Sequence, residues 1–148
     1  MKIAYLLIFL AVAATGCATT PVPVNSALPA PRERILAFQD IPAGPSGTIV
    51  VTRDKGLGGS GCYYGFSINN VLAARLAVSE TASFRVAPGE LVLRSSRDPY
   101  GKGLCGAFQD EWTQRETILR NGETKHFRLS IDRNGKTDIL RADPVVTN

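Results

Sequence analysis

The chain has 148 residues, of which 44% are hydrophobic and 20% charged, so it can form one small domain with its own core. Its formal net charge of +4 is modest, and most arginines are scattered one per predicted strand. Nucleic-acid-binding proteins concentrate their basic residues on a face or a helix, so nucleic acid is excluded as a partner. The arginines interpreted as solvated strand residues are Arg53, Arg75, Arg85, Arg94, Arg128 and Arg141.

An export segment opens the chain. Lys2 is followed by an apolar run over residues 3–14, and small residues end the segment at Gly16. A basic start, an apolar run of this length and small residues at the cut are typical of a secretory signal peptide. The run is too short for a membrane-spanning helix, which needs about 20 apolar residues. Residues 1–16 are therefore predicted to be a signal peptide.

Cys17 directly follows this segment, and the ending Ala14-Thr15-Gly16-Cys17 resembles the lipobox of bacterial lipoproteins, with Ala14 where Leu is commonest. The resemblance implies that Cys17 carries acyl chains such as palmitate, becomes the mature N-terminus and anchors the protein in a membrane. Ala18, in place of an Asp, resembles lipoproteins sorted to the outer membrane, which implies a position facing the periplasm. The alternative is a plain secreted protein that keeps a free Cys17.

Residues 17–46 are predicted to precede the folded domain. Residues 18–31 contain four prolines and no charge, a composition typical of an extended, semi-rigid tether that holds a domain away from the membrane. Residues 32–39 are too short to assign as strand or helix, and one or more of Ile35, Leu36 and Phe38 are expected to pack at the domain edge.

From residue 47 to residue 148 the pattern is that of a β domain. Short runs rich in β-branched residues or alternating in polarity are separated by turn residues such as Asn69-Asn70 and Asn134-Gly135. Seven or eight such strands predict an all-β sandwich, mostly antiparallel. The runs are 48–53, 63–68, 71–76, 82–86, 90–95, 113–120, 125–131 and 137–140.

The three cysteines are Cys17, Cys62 and Cys105. If Cys17 carries lipid, Cys62 and Cys105 remain as a pair, which should persist as a disulfide in an oxidising compartment. Both lie in glycine-rich loops that can bring them together. A metal or redox site is not expected, because the cysteine spacing is wide and His126 is the only histidine.

Two stretches, 66–76 and 82–93, show a shared pattern: a strand, a tight turn, a returning strand, and a third strand that ends at Pro88-Gly89 before a fourth. This pattern resembles the PEGA-type β-sandwich modules of bacterial surface proteins, although Asn69-Asn70 stands where those modules have Asp-Gly. With its Gly-Ser-Gly-Cys loop, the chain is also similar to small bacterial lipoproteins of unknown function over residues 47–141. Because PEGA modules share no catalytic residues, the resemblance implies a structural or interaction role.

Enzyme chemistry is not expected from the sequence. The glycine runs 55–61 and 101–106 are not followed by a helical pattern, which a phosphate-binding loop requires. Ser60 and Ser83 lack a nucleophile elbow, and Asp110-Glu111 is interpreted as a solvated pair of acids rather than a glycosidase dyad. No catalytic residue, metal or cofactor is therefore expected.

One region has the composition of a binding surface. The loop that runs from residue 99 to residue 112 collects aromatic residues beside a cysteine, and exposed loop aromatics commonly build interfaces. Trp112 could instead cap the sandwich core. The function expected is that of an envelope-anchored lipoprotein with a structural or protein-interaction role, and the alternative is a small-ligand or glycan-binding module. The residues of the predicted interface are Tyr63, Tyr64, Tyr100, Phe108 and Trp112.

Overall fold

The computed structural model describes residues 18–142, so the predicted signal peptide and Cys17 lie outside the described residues. Two β-sheets face each other, which confirms the predicted β-sandwich. Between residues 18 and 142 no helix is long and apolar enough to cross a membrane. The nine strands are β1 (Leu28–Pro29), β2 (Gly47–Arg53), β3 (Tyr64–Ile68), β4 (Val71–Leu76), β5 (Glu80–Val86), β6 (Gly89–Arg97), β7 (Trp112–Leu119), β8 (Thr124–Ile131) and β9 (Thr137–Arg141).

The first sheet has the strand order β1-β5-β2-β8-β9. Its centre is β2, which pairs antiparallel with β5 and parallel with β8. The β-branched residues of β2 suit this central position, and Ile49 and Val51 are fully buried. The second sheet has the order β4-β3-β6-β7, and all its pairings are antiparallel.

The core lies between the inward faces of the two sheets. Because side chains alternate along a strand, Phe127, Leu129 and Ile131 of β8 all point inward. Phe66 of the second sheet packs against Phe84 of the first, with ring centroids 5.6 Å apart. The sequence pattern thus fixes which face of each strand is buried.

The Asn69-Asn70 turn joins β3 and β4 as predicted. Both asparagines adopt positive φ, 50° and 64°, a conformation that asparagine tolerates better than most residues. Asn69 also extends the sheet beyond the turn, since its N–H donates to the carbonyl of Val92 at 2.8 Å and its Oδ1 accepts the N–H of Val92 at 2.9 Å.

Part of the stretch predicted to be a free tether packs on the domain instead. β1 pairs parallel with β5, and the N–H groups of Leu28 and Ala30 donate to the carbonyls of Ser79 and Thr81, each at 2.9 Å. The extended backbone that proline favours is the one a strand edge can accept, so an uncharged proline-rich stretch can add to a sheet. Further along, Ile35 and Phe38 pack against the core, whereas Leu36 stays exposed.

Candidate functional site

One end of the sandwich contains the disulfide and its glycine-rich loops, and we call it the cystine end. It consists of the loop 54–63 between β2 and β3, the loop 98–111 between β6 and β7, and the turn 132–136 between β8 and β9. A disulfide joins Cys62 and Cys105, whose Cα atoms are 5.4 Å apart, and this confirms the predicted pair. Within residues 18–142, no group of three or more His, Cys, Asp or Glu side chains is arranged to hold a metal ion.

The two joined loops share a tripeptide. Lys55-Gly56-Leu57 precedes Cys62 in one loop, and Lys102-Gly103-Leu104 precedes Cys105 in the other. Leu57 is 81% exposed and Leu104 is 94% exposed, so both leucines project into solvent. Tyr100 and Phe108 of the same end are also exposed. Large apolar side chains clustered at one end of a molecule indicate a contact surface.

The glycine-rich loops are shaped by close backbone packing rather than by a ligand. A Cβ atom on Gly101 would collide with the backbone carbonyl of Cys105, and Gly59 adopts a positive φ of 65°. These positions favour glycine because of the sharp turns that bring the cysteines together. The short 3-10 segment Gly103–Gly106 follows the first turn of the second loop, and it offers no helix N-terminus for a phosphate.

Arg53 supports the cystine end from beneath. Its guanidinium is buried and donates to the carbonyls of Gly59 at 2.7 Å, Cys62 at 2.6 Å and Leu76 at 2.8 Å. It also lies over the ring of Tyr64, 4.2 Å from the centroid. Burial lowers the pKa of Arg53 to about 10, so the side chain stays charged at neutral pH and keeps its donors. Arg53 is thus a buried support of the loop, not a solvated strand residue.

Two arginines and two tyrosines form a stack on the outer face of the second sheet. The ring of Tyr63 lies between Arg34 at 4.5 Å and Arg75 at 5.1 Å, and Arg75 also lies 5.1 Å from the ring of Tyr100. Such cation–π contacts hold planar groups together where they are partly desolvated. We call these four residues the Arg–Tyr stack; it brings together Tyr63 and Tyr100 of the predicted interface.

Each arginine of the stack is held by a buried carboxylate. Arg34 forms two hydrogen bonds to Glu80, at 2.5 and 2.6 Å, and Arg75 forms two to Asp98, at 2.6 and 2.8 Å. Paired bonds of this type fix the guanidinium plane as well as its position. The stack therefore fastens the N-terminal segment and the loop 98–111 to the sheet. Its members are far apart along the chain, so no local sequence pattern indicates it.

Two buried aspartates respond to their surroundings in opposite ways. Burial raises the pKa of Asp98, but hydrogen bonds from Arg75 and from the N–H of Tyr100, with the charge of Arg75, reverse this and leave the pKa lowered. Burial also raises the pKa of Asp54, and the charge of Arg128 with hydrogen bonds from Thr19 and Arg128 offsets only part of the rise. Arg128, like Arg75, is thus paired rather than simply solvated.

A groove runs along the open side of the sandwich, between β7 and the β8–β9 hairpin. Its volume is about 550 Å³, and Arg115 of one wall forms an ion pair with Asp138 of the other at 2.7 Å. Trp112 lies at the rim, half-exposed, with the guanidinium of Arg94 4.4 Å from its ring. We call this feature the edge groove. Its other lining residues are Thr113, Gln114, Ser130, Asp132, Lys136, Thr137 and Leu140.

The structure divides the five residues of the predicted interface. Tyr64 was wrongly included, because it is 1% exposed and points into the core with Phe66 and Ile68. Tyr63 and Tyr100 join the Arg–Tyr stack, and Phe108 projects from its loop with a positive φ of 59°. Trp112 lies on the outer face of the second sheet beside the edge groove, so it does not cap the core.

Comparison with known proteins gives no relative for this chain. No family model matches it, and no curated protein and no solved structure matches it either.

Proposed function

We propose that this protein is a lipoprotein of the bacterial envelope, anchored through Cys17 in the outer membrane and facing the periplasm, whose role is to bind a protein partner. The role is structural or one of protein interaction rather than catalytic. The observation that carries the proposal is the edge groove, with its half-exposed tryptophan and its charged walls. The export segment and the small residues before Cys17 support the anchor.

The composition of the edge groove suits a protein partner. Tryptophan and arginine are the residues that most often carry the binding energy of protein interfaces, and Trp112 and Arg94 stack at the rim. The walls offer charges of both signs, among them Lys136 and Asp132, which can order the side chains of a bound segment. The groove runs beside two strands, so it fits an extended polypeptide better than a compact ligand.

Partner capture from crosslinked envelopes tests this proposal. The full lipoprotein should retain one envelope protein at near-stoichiometric yield, and Trp112→Ala should reduce that yield about ten-fold or more, as expected for an interface hot spot. Val71→Ala is the matched control, since Val71 is 49% exposed against 52% for Trp112 and lies in the β3–β4 hairpin at the opposite end. Equal capture by the two variants would contradict the role of the groove.

A glycan is the second candidate occupant, because Trp112 offers an aromatic face beside the planar polar side chains of Gln114 and Arg115. The same variants distinguish the two candidates. Retention on peptidoglycan or polysaccharide resin that depends on Trp112, without a captured protein, would replace the protein partner with a glycan.

The anchor is tested separately by Cys17→Ser. This variant should lose lipid labelling and remain an unprocessed precursor, because the cysteine thiol is the acyl acceptor that the lipoprotein pathway requires. Normal maturation and membrane retention of Cys17→Ser would contradict the anchor while leaving the groove experiment valid.

A further inference from the structure

The chain joins the domain at the cystine end, and it is held there firmly. The N–H of Thr19 donates to the carbonyl of Ile131 at 2.9 Å, and the N–H of Ile131 donates back to Thr19 Oγ1 at 2.8 Å. Thr19 Oγ1 also reaches the buried carboxylate of Asp54 at 3.3 Å. Thr20 and Lys55 exchange two backbone hydrogen bonds, of 2.8 and 3.0 Å. The start of the described chain is thus hydrogen-bonded to the end of β8 and to the loop that follows β2.

This attachment limits how far Cys17 can lie from the domain. Cys17 is two residues before Thr19, and consecutive Cα atoms are about 3.8 Å apart, so the two Cα atoms are separated by at most about 8 Å. No tether long enough to lift the cystine end off a membrane fits in that interval. If acyl chains are attached to Cys17, the cystine end must lie at the surface of the bilayer that contains them.

We infer that the cystine end docks on the phospholipid surface of the membrane that holds the anchor, with Leu57 and Leu104 inserted at the boundary between headgroups and acyl chains. This inference rests on the proposed lipidation of Cys17 and names the bilayer as the partner of this end. Gly56 lies against Thr19, where an added Cβ would stand 3.0 Å from the Thr19 methyl group. The loop that carries Leu57 therefore lies next to Thr19, two residues from Cys17.

The side chains of the cystine end suit a lipid surface. Each exposed leucine has an exposed lysine two residues before it, Lys55 before Leu57 and Lys102 before Leu104. A leucine that enters the acyl region with a lysine at the phosphate level is the arrangement by which interfacial segments bind anionic bilayers. Tyr100 and Phe108 add aromatic rings, which are favoured at the same depth. The Cys62–Cys105 bond holds both loops together as one surface.

Tryptophan reporters and brominated lipids test the inference on the lipidated protein. In a Trp112→Phe background, Leu57→Trp, Leu104→Trp and Val71→Trp are reconstituted separately into vesicles of phosphatidylethanolamine and phosphatidylglycerol. Brominated acyl chains should quench about half or more of the emission of the two leucine-site reporters, because interfacial side chains reach 5–10 Å below the headgroups. The Val71 reporter, in the hairpin at the opposite end, should keep its emission.

The controls separate this inference from the proposed function. The mass of the N-terminal peptide reports lipidation, and the mass of the Cys62–Cys105 peptide reports a correctly folded variant. A lipidated, folded protein whose leucine-site reporters are quenched no more than Val71→Trp overturns the inference and leaves the anchor intact. If Cys17 carries no acyl chain, both the anchor and the docking are wrong. The leucine-site reporters could also be shielded from acrylamide in native envelopes but not quenched by brominated lipid. That result would mean that a protein covers the cystine end, and it would also overturn the inference.

Discussion

At the scale of single residues, buried charges determine how the domain responds to pH. Asp98 is surrounded by donors, since Arg75 binds both of its oxygens and the N–H of Tyr100 adds a third bond at 3.1 Å. Asp54 has Arg128 and Thr19 on one oxygen, while its Oδ1 has no partner among the residues that the structure describes. Lowering the pH therefore changes the free energy of unfolding in opposite directions through these two carboxylates.

The first prediction concerns how the protonation of Asp98 and of Asp54 changes the stability of the domain. The pKa of Asp98 lies below its ordinary value of 3.8 in the folded protein, so its contribution to stability is present above that value and lost as the pH falls through the folded pKa. The pKa of Asp54 lies above 3.8, so acidification through the folded pKa relieves a cost. In Asp98→Asn, the free energy of unfolding should therefore fall less steeply as the pH is lowered. In Asp54→Asn, it should fall more steeply. Urea unfolding measured from pH 7 to pH 2 gives both slopes, and equal slopes in the two variants would contradict the assignment.

The second prediction concerns Arg53. Arg53→Met removes the buried guanidinium and its hydrogen bonds to the carbonyls of Gly59, Cys62 and Leu76, so we expect a loss of about 3 kcal/mol in the free energy of unfolding. Arg85→Met is the control, because Arg85 is an exposed arginine on the neighbouring strand β5 and should change stability by about 0.5 kcal/mol or less. Chemical denaturation of both variants makes the comparison. Similar losses of unfolding free energy in Arg53→Met and Arg85→Met would mean that the buried hydrogen bonds of Arg53 do not stabilise the cystine end.

At the scale of loops and strands, the cystine joins two loops at one end of the sandwich. It closes a separation of 43 residues between the β2–β3 loop and the β6–β7 loop. Because the two cysteines are far apart in the sequence, the bond restricts the unfolded chain strongly. In the chain-entropy account, a closure of this length contributes about 3–4 kcal/mol.

The third prediction follows from that closure. Cys62→Ser and Cys105→Ser should each lower the free energy of unfolding by about 3 kcal/mol, and the double variant should be no worse than either alone, since all three break one bond. Denaturation of the three variants completes the cycle. Strictly additive losses would show that the two sites act independently, and free thiols in the native protein would contradict the bond itself.

The strands themselves could be predicted from sequence more fully than their partners. Period-2 alternation and turns such as Asn69-Asn70 are local, so they locate strands and their buried faces. The same alternation places Tyr64 on the inward face with Phe66, so the alternation alone argues against Tyr64 as an interface residue. The parallel pairing of β2 with β8, and the Arg–Tyr stack, join distant parts of the chain and leave no local signal.

At the scale of the whole molecule, the N-terminal segment forms part of the domain instead of a free spacer. Arg34 donates to Glu80 and to the carbonyl of Arg75, and the N–H of Leu36 donates to the carbonyl of Ala73 at 2.8 Å. With β1 on the edge of the first sheet, the segment contacts both sheets. Its attachment is therefore energetically linked to the Arg–Tyr stack.

The fourth prediction tests this link by hydrogen exchange. Arg34→Ala removes the partner of Glu80 and one face of the stack on Tyr63, so the amides of Leu28, Ala30 and Leu36 should exchange about ten-fold faster, equivalent to about 1.4 kcal/mol. Amides in the centre of β2 should keep their protection. Arg32→Ala, an exposed arginine in the same 3-10 turn, is the control. Unchanged exchange in Arg34→Ala would mean that the backbone pairing alone holds the segment.

The central parallel pair has a further consequence for how the molecule is made. Thr48 of β2 is paired with Thr124 of β8, so the middle of the first sheet cannot close until most of the chain is present. Pairing over such a distance slows folding, and all-β domains of this kind fold in milliseconds to seconds. A fragment that ends before β8 would expose Ile49 and Val51 along an open strand, which makes it prone to aggregate. The chain must therefore extend through β8 before both edges of its earliest long strand, β2, are paired.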